Sequence, residues 1–421
     1  MKTNIINTII LIFLYSCNSN NVSRENDLKD LGLKGSVKSI AEIEYNVEEK
    51  FGEIHLSNQN WKKELYFNEE GYINKSKSSG FSDGSGSVIL YKYDQGNLIE
   101  VGGYNLDGSL RWKDVNKYDK KNNIIEISHY NQEGEISGKK KSNYNEKGIK
   151  IELNTYDSDG KLDSTTKYDQ RGNTTENLGY DSNSNLIYHT KYLFDEQNHL
   201  LETEIYSAYT EMYYNYRGDN IIKVNDWQWL NEKGTSIIRD RDLEGEWINS
   251  KDIRRVPATF KYIYRYDIDG NKTEESVYIN NNNEFAAKKI WNYDKFGNLI
   301  EETFIDSMGE SYTTKTIEYE NKLKIREYIY NSEGKKTVQY DWNYDQKGNM
   351  LQEINQVNDK IFEHGWVYDK NNNVIEEYVK GDYGGWKKVI KYDSDNNWIE
   401  ETNFNIKDIP TTQKLRKIEY Y

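Results

Sequence analysis

The chain has 421 residues, and its 56 Lys and Arg against 70 Asp and Glu give a formal net charge of −14. A chain this acidic repels nucleic-acid phosphates, which argues against a nucleic-acid partner. Apolar residues make up only 35% of the chain, but they include 37 Tyr, 10 Trp and 11 Phe. Aromatic rings with polar edges suit half-exposed strands, so the composition favours a β-rich protein.

Residues 1–16 have the pattern of a secretory signal peptide. Lys2 supplies the positive start, and the apolar run from Ile5 to Tyr15 is too short to span a bilayer. The sequence Leu14-Tyr15-Ser16-Cys17 resembles the lipobox of bacterial lipoproteins. That resemblance implies that Cys17 is the first mature residue and carries a lipid through its sulfur. We therefore expect a cell-envelope protein, lipid-anchored in the outer membrane, with the periplasmic and surface sides both left open.

Residues 17–27 are predicted to form a polar tether between the lipid and the folded body. The segment after Cys17 is rich in Asn and Ser, a composition typical of flexible linkers. Cys17 is also the only Cys of the chain, which rules out an intramolecular disulfide. The folded body is predicted to comprise residues 28–421.

The dominant feature of this body is a repeated Tyr-Asp pair. Each pair is followed by a Gly or Asn turn and a short strand-like run that usually ends in Glu. The period is 25 residues from Tyr93 to Tyr118 and 24 residues from Tyr368 to Tyr392. Clear copies begin at Tyr93, Tyr118, Tyr168, Tyr266, Tyr293, Tyr344, Tyr368 and Tyr392, and weaker copies at Tyr66, Tyr144, Tyr192, Tyr216 and Tyr319.

The residues of one repeat predict a β-hairpin. An Asp at the first turn position can accept a hydrogen bond from the backbone two residues on, and Gly and Asn tolerate the positive φ of tight turns. The flanks alternate as strands do, with Tyr340, Trp342 and Tyr344 on one face. Short turns join antiparallel neighbours. The sequence therefore predicts an all-β fold, an elongated antiparallel meander of tandem hairpin repeats of about 25 residues.

The Tyr-Asp pattern resembles the YD repeats of the Rhs family and the β-hairpin repeats of lipoproteins from Bacteroidetes-type bacteria. Residues 27–40, which read DLKDLGLKGSVKSI, are similar to the opening of such lipoproteins. This resemblance implies a repeat architecture and does not specify a ligand. Rhs proteins wrap a shell around a C-terminal toxin, whereas here the repeat continues to Tyr421, so we expect no toxin domain.

The repeat becomes irregular at about residues 217–265. Trp and Arg concentrate in this stretch, and both residue types are enriched at binding hot spots. Two interpretations remain open, namely two degenerate hairpins with a longer loop, or a ligand-binding surface. The candidate ligand-binding residues are Trp227, Trp229, Trp247, Arg239 and Arg241.

The sequence contains no recognisable catalytic or metal-binding motif. Its five His have no metal-ligand spacing, and no nucleophile elbow, P-loop or dinucleotide fingerprint is present. The Glu that follows each turn is expected to pair with a charge on the neighbouring strand. We therefore expect no enzyme, metal or cofactor. The predicted function is a non-catalytic binding scaffold for a glycan or an envelope protein. A structural or assembly component of the envelope is the alternative, and a carbohydrate-active enzyme is a more distant one.

Overall fold

The computed structural model describes residues 26–80, 85–214, 220–225, 228–231, 236–237, 254–279, 284–357, 360–382 and 384–421. This part of the chain contains one short helix, α1 (Asp27–Asp30), and a single antiparallel sheet of 29 strands. The strands are β1 (Val37–Lys50), β2 (Glu53–Phe67), β3 (Ile73–Gly80), β4 (Gly86–Asp94), β5 (Asn97–Tyr104), β6 (Leu110–Tyr118), β7 (Ile124–Tyr130), β8 (Ile136–Tyr144), β9 (Lys150–Tyr156), β10 (Leu162–Tyr168), β11 (Thr174–Tyr180), β12 (Leu186–Phe194), β13 (Leu200–Tyr214), β14 (Asn220–Asn225), β15 (Gln228–Asn231), β16 (Ser236–Ile237), β17 (Arg254–Tyr266), β18 (Lys272–Ile279), β19 (Glu284–Tyr293), β20 (Leu299–Ile305), β21 (Ser311–Glu320), β22 (Leu323–Tyr330), β23 (Lys336–Tyr344), β24 (Met350–Val357), β25 (Lys360–Tyr368), β26 (Val374–Gly381), β27 (Gly384–Tyr392), β28 (Trp398–Asn405) and β29 (Pro410–Tyr420).

The sheet closes on itself as a barrel. Strand β1 pairs with β29, from Val37 opposite Tyr420 to Asn46 opposite Thr412. Strand β13 pairs directly with β17, so β14, β15 and β16 form a side branch and the other 26 of the 29 strands form the ring. The predicted all-β hairpin repeat is confirmed, but the predicted elongated shape is wrong. Closure pairs the two edge strands that an open array would leave with unsatisfied backbone groups.

The barrel wall is one sheet thick. At about 4.8 Å per strand, the 26 strands span about 125 Å measured at right angles to the strands, and most strand residues are half-buried. Within the described residues, buried apolar side chains gather in two clusters. The first surrounds the seam between β1 and its neighbours and consists of Leu28, Leu33, Val37, Ile40, Leu65, Phe67 and Ile73. The second lies on β17, β18 and β19 and consists of Phe260, Tyr262, Val277, Ile279 and Ala286.

The Tyr-Asp turns have the predicted chemistry. The Asp119 carboxylate accepts hydrogen bonds from the backbone N–H of Lys121 at 2.8 Å and of Asn123 at 2.9 Å. The fourth turn position has positive φ, 63° at Asn122 and 90° at Gly172. Neighbouring turns are also joined, because the Asn173 amide donates to the Asn198 side chain at 2.9 Å. The Tyr-Asp end of the barrel is therefore a hydrogen-bonded rim.

In eight of the repeats, the Tyr of the pair fastens one hairpin to the next. The Tyr118 hydroxyl donates to the Leu98 carbonyl at 2.7 Å, and the Tyr392 hydroxyl donates to the Val374 carbonyl at 2.9 Å. The same contact spans the side branch, where Tyr266 of β17 donates to the Leu200 carbonyl of β13 at 2.9 Å. Equivalent bonds are made by Tyr93, Tyr144, Tyr293, Tyr344 and Tyr368. This contact explains why Tyr, rather than Phe, recurs at this position.

The turn carboxylates make the barrel sensitive to acid. Hydrogen bonds from the Asn side chain four residues on lower the pKa of Asp267, Asp345 and Asp369. Because the folded pKa is below the unfolded value of about 3.9, these groups stabilise the fold above that pH and lose their effect as the pH falls through the folded pKa. We expect the melting temperature to fall steeply below about pH 4.

The triple change Asp267→Asn, Asp345→Asn and Asp369→Asn should flatten this acid dependence. Asn occupies the same turn position naturally at Asn131 and Asn145, where its side-chain oxygen accepts the same backbone hydrogen bond. Thermal unfolding followed by circular dichroism between neutral pH and pH 3 would measure the effect. If the melting temperature of the triple variant falls with pH as steeply as that of the unchanged protein, the turn carboxylates do not control acid stability.

One hairpin projects beyond the opposite rim. Residues 47–58 pair with each other after β29 and β3 have ended. At its tip the fully exposed Phe51 has φ 56° and Gly52 has φ 83°. A two-residue turn of this kind prefers Asn before Gly, and positive φ costs a bulky residue about 1–2 kcal/mol. We expect Phe51→Asn to slow amide exchange within this hairpin, whereas Phe51→Leu should not.

Candidate functional site: an aromatic and glutamate belt

The described residues do not test the ligand site predicted from the irregular stretch. Trp227, Arg239, Arg241 and Trp247 lie outside the described residues, as does Cys17. The backbone of Trp229 is described in β15, where it pairs with Lys223 of β14 and Ile237 of β16. A binding site in this stretch therefore stays a prediction.

A different feature emerges from the strand register. Residues paired across two strands share a face of the sheet, and successive residues alternate between faces. Following the pairs around the ring places seven Trp on one face, which we call the aromatic face. They are Trp61, Trp112, Trp291, Trp342, Trp366, Trp386 and Trp398.

On this face, a ring or aliphatic side chain alternates with Glu over twelve consecutive strands, β17 to β28. We call this row the belt. It lies next to the Tyr-Asp rim, and its ring and aliphatic members come two residues before Tyr266, Tyr293, Tyr319, Tyr344, Tyr368 and Tyr392. Its members, in strand order, are Tyr264, Glu275, Trp291, Glu302, Ile317, Glu327, Trp342, Glu353, Trp366, Glu377, Ile390 and Glu401.

Each belt Glu lies directly opposite the preceding ring or aliphatic residue. The Trp291 indole N–H donates to Glu302 Oε2 at 2.9 Å, and the Trp342 indole N–H donates to Glu353 Oε2 at 3.2 Å. Each belt Glu also faces a cationic side chain or a polar ring, either on the following strand or along its own strand. Lys388 lies 2.6 Å from Glu377, and Lys414 lies 3.2 Å from Glu401.

Two belt carboxylates, Glu302 and Glu377, have lowered pKa values despite partial burial. Burial acts to raise the pKa of Glu302, but Lys289 and hydrogen bonds from Thr314 and Trp291 outweigh it and hold the pKa below its ordinary value. Burial likewise acts to raise the pKa of Glu377, and the contacts with Lys388 and His364 lower it overall. At these two positions the belt therefore presents a negative charge beside an apolar ring at neutral pH.

The rings differ in how far they are covered. Lys272 lies 4.2 Å from the centroid of the Trp291 ring, and Lys324 lies 4.3 Å from that of Trp342. Such exposed cation–π contacts stabilise by only about 0.5–1 kcal/mol, so a ligand can displace the lysine at small cost. Strands β25 to β27 are more open, because Trp386 beside the belt is 39% exposed.

This open part carries a compact polar and aromatic group. The His364 ring lies 3.9 Å from the Trp366 ring and 6.0 Å from the Trp386 ring, measured between centroids. His364 Nε2 lies 2.8 Å from Glu377 Oε1. One strand away, the side-chain oxygen of Asn355 is buried without a hydrogen-bond partner among the described residues. The group can offer apolar ring surface together with hydrogen-bond donors and acceptors.

The predicted cross-strand charge pairing of the Glu that follows the turn is confirmed at several turns, on the opposite face. Lys117 lies 2.9 Å from Glu126, Lys167 lies 2.7 Å from Glu176, and Lys391 lies 2.7 Å from Glu400. Within the described ranges, no group of three or more His, Cys, Asp or Glu is arranged to hold a metal ion. No helix in the same ranges is long and apolar enough to cross a membrane.

Comparisons with known proteins supply little beyond this geometry. No family model matches the chain, and no curated protein is similar to it. The crystal structure of TcdB2-TccC3-Cdc42 aligns with 84% of this chain and 26% of its own at 12% identity and a TM-score of 0.24. The Photorhabdus luminescens Tc holotoxin pore aligns with 88% of this chain and 26% of its own at 12% identity and a TM-score of 0.23.

A porin-like protein from Bacteroides uniformis ATCC 8492 aligns with 91% of this chain and 98% of its own at 8% identity and a TM-score of 0.15. The chain therefore spans about a quarter of the length of the two Tc toxin structures it matches. At TM-scores below 0.5 these likenesses carry no argument of their own. The β-hairpin repeat fold rests on the strand pairing described above.

Proposed function

We propose that this protein is an envelope-anchored, non-catalytic scaffold that binds a glycan on the belt. The alternation of ring or aliphatic side chains with carboxylates over twelve strands is the observation that supports it most. Sugar rings have apolar faces that pack on aromatic side chains and hydroxyls that bond to carboxylates, as in other ligand sites with apolar walls and a few placed polar groups. The sequence Leu14-Tyr15-Ser16-Cys17 supports the anchored location.

The belt is not a requirement of the repeat itself. At the same level of the wall, strands β6 to β12 fold into the same hairpins without a ring or a Glu. Their residues there are Asn116, Ile127, Ser142, Leu153, Thr166, Asn177 and Thr190. Because seven consecutive strands of the ring pair without these side chains, a role beyond folding is the better explanation of the belt.

Replacing Trp386 by Ala tests the binding function with a matched control. Trp112 is 38% exposed, against 39% for Trp386, and lies on the same face in the half without the belt. On a glycan array, the chain without residues 1–17 should retain a glycan that Trp386→Ala loses and Trp112→Ala keeps. Retention of no glycan, or an equal loss in both variants, would contradict the proposal. Thermal unfolding of each variant separates lost binding from lost folding.

A structural role in the envelope is the second candidate. It is favoured by the lysines that cover two of the belt rings. Lys272 and Lys324 lie over Trp291 and Trp342 and also pair with Glu275 and Glu327. If this network only stabilises the wall, then belt variants lose stability and the intact protein binds no glycan.

The lipid anchor has a direct test. Cys17→Ser should abolish incorporation of a labelled fatty acid and release the protein from the membrane fraction, since the sulfur that would carry the lipid is replaced. Ser16→Ala, which keeps a small residue before Cys17, is the matched control and should still be labelled. Undiminished labelling of Cys17→Ser would contradict the anchor.

A further inference from the structure

We infer that the barrel stands on the membrane with its Tyr-Asp rim against the anionic surface of the lipid bilayer, and that its projecting hairpin points away from the membrane. This inference rests on the proposed lipid anchor at Cys17 and adds which surface of the folded body contacts the lipid headgroups. Three observations carry it, namely where the folded body begins, how far the segment before it can reach, and which side chains lie at the tips of the turns.

The folded body begins at the Tyr-Asp rim. The Asn26 side chain donates to the Glu70 carbonyl at 3.1 Å, in the turn that joins β2 to β3. Further along the chain, the Lys34 backbone N–H donates to the Asn397 side chain at 3.0 Å, next to the turn that joins β27 to β28. Both turns belong to the Tyr-Asp rim, so the chain that follows Cys17 reaches the barrel at this end.

The segment before the folded body is too short to bring the opposite rim to the membrane. The nine residues from Cys17 to Asn26 extend at most about 32 Å. Wall strands of seven to nine residues are about 24–31 Å long, and the hairpin at residues 47–58 projects about 20 Å further. A barrel that stood on the opposite rim would therefore need a longer segment to its anchor.

The two rims differ in the charge of their turn tips. Four consecutive turns of the Tyr-Asp rim, from β19–β20 to β25–β26, carry one exposed Lys each and no acidic residue at their central positions. We call these lysines the basic arc, and they are Lys295, Lys322, Lys347 and Lys370. In the described turns of the opposite rim, the central positions carry one basic residue, Lys407, and the acidic residues Asp107, Glu133, Asp159 and Glu333. Anionic headgroups attract each nearby lysine by about 1 kcal/mol, so the bilayer favours the basic arc.

The Asp at the first position of three of these turns offsets part of this attraction. Asp294, Asp345 and Asp369 are half-buried, whereas the lysines of the basic arc are exposed. Each of these carboxylates accepts a hydrogen bond from the Asn side chain four residues on, at 3.0, 2.8 and 3.0 Å respectively. The ammonium groups are therefore the charges that a headgroup phosphate can reach most easily.

Two apolar side chains project from the same stretch of the Tyr-Asp rim. Phe296, next to Lys295 in the basic arc, is 61% exposed, and Ile268 on the preceding Tyr-Asp turn is 99% exposed. The ammonium groups of Lys295 and Lys322 lie 5.0 and 5.8 Å from the centroid of the Phe296 ring. Apolar side chains flanked by lysine suit the headgroup region of a bilayer. Phe51 on the opposite rim is also fully exposed, but its hairpin carries the acidic residues Glu48, Glu49 and Glu53.

Fluorescence quenching by a nitroxide-labelled lipid headgroup tests the inference on the lipidated protein in vesicles that contain phosphatidylglycerol. Cys17 is the only Cys of the chain, and its sulfur carries the proposed lipid, so Phe296→Cys and Phe51→Cys each supply one thiol for a fluorescent label. The two positions are matched, because both are exposed Phe at turn tips and they lie on opposite rims. We expect the label at position 296 to be quenched several-fold more than the label at position 51.

A second pair of variants tests the basic arc itself. In the protein labelled at position 296, the triple change Lys322→Gln, Lys347→Gln and Lys370→Gln should reduce the quenching. The matched control removes three lysines of β8, by Lys139→Gln, Lys140→Gln and Lys141→Gln, and should leave the quenching unchanged. Unfolding curves of all variants confirm that the fold is kept.

The possible failures are distinguishable. Quenching at position 51 that equals or exceeds that at position 296, or an arc variant that behaves like the β8 variant, would overturn the inference while leaving the lipid anchor intact. If the unchanged protein incorporates no fatty acid and is not retained by the vesicles, both the inference and the proposed anchor are wrong.

Discussion

Removal of residues 398–421 is expected to unfold the whole barrel rather than to shorten it by one repeat. In an open array a terminal hairpin contacts one neighbour, and its loss is tolerated. In the closed ring β28 and β29 have neighbours on both sides, because β29 pairs with both β28 and β1. Deletion therefore exposes two long edges at once and removes the hydrogen bond from Tyr421 to the Phe67 carbonyl.

Circular dichroism, size-exclusion chromatography and limited proteolysis would measure this loss. Deletion of residues 345–368 is the matched control, because it begins and ends at equivalent positions of two repeats and keeps β1 and β29 available to each other. We expect this internal deletion to keep more ordered structure than the terminal one. A terminal deletion that retains native strand content and cooperative unfolding would contradict the closed ring.

Arg416→Ala is expected to destabilise the protein by about 1–3 kcal/mol, the usual cost of leaving a partly buried hydrogen-bonding group without its partner. Arg416 of β29 donates to Glu42 of β1 from Nη2 at 2.6 Å and from Nε at 3.0 Å. Its side chain is 13% exposed and that of Glu42 18%. The guanidinium also lies 3.6 Å from the centroid of the Trp398 ring. One residue thus joins β1, β28 and β29 at the seam.

The double change Glu42→Leu and Arg416→Met is the control for this effect. It removes both charges together, so no unpaired, partly buried carboxylate remains, and we expect it to recover most of the stability. Denaturant unfolding gives the free energy of unfolding for each protein. If Arg416→Ala lowers the free energy of unfolding by less than about 1 kcal/mol, the pair contributes no more than an ordinary surface ion pair.

Local features of the fold were predictable from the sequence because they depend on residues close in the chain. Asp119 and Asn122 specify a turn, and Lys117 and Glu126 lie opposite each other in the strands that flank it. Closure was not predictable, since the seam joins residues such as Ile43 and Leu415, which no local pattern relates. The elongated shape assumed that the terminal strands stay unpaired.

The belt was visible in part as a spacing of eleven residues from Trp291 to Glu302, Trp342 to Glu353 and Trp366 to Glu377. The sequence alone did not show which face these residues share. A register shift follows each Tyr-Asp turn, as between Asn292 and Tyr293, and it breaks the alternation on which sequence reasoning relies. The accumulation of Trp and Arg at residues 217–265 was more conspicuous in the sequence than this eleven-residue spacing.

The most direct test of the closed barrel is a disulfide across the seam. Ala41 of β1 and Lys417 of β29 lie opposite each other, within the range that a disulfide spans. In a Cys17→Ser background, Ala41→Cys with Lys417→Cys should oxidise almost completely to an intramolecular disulfide. Ala41→Cys with Lys141→Cys, which joins β1 to β8 across the ring, should not. Failure of the seam pair to oxidise within the folded monomer would contradict closure and return the chain to an open array.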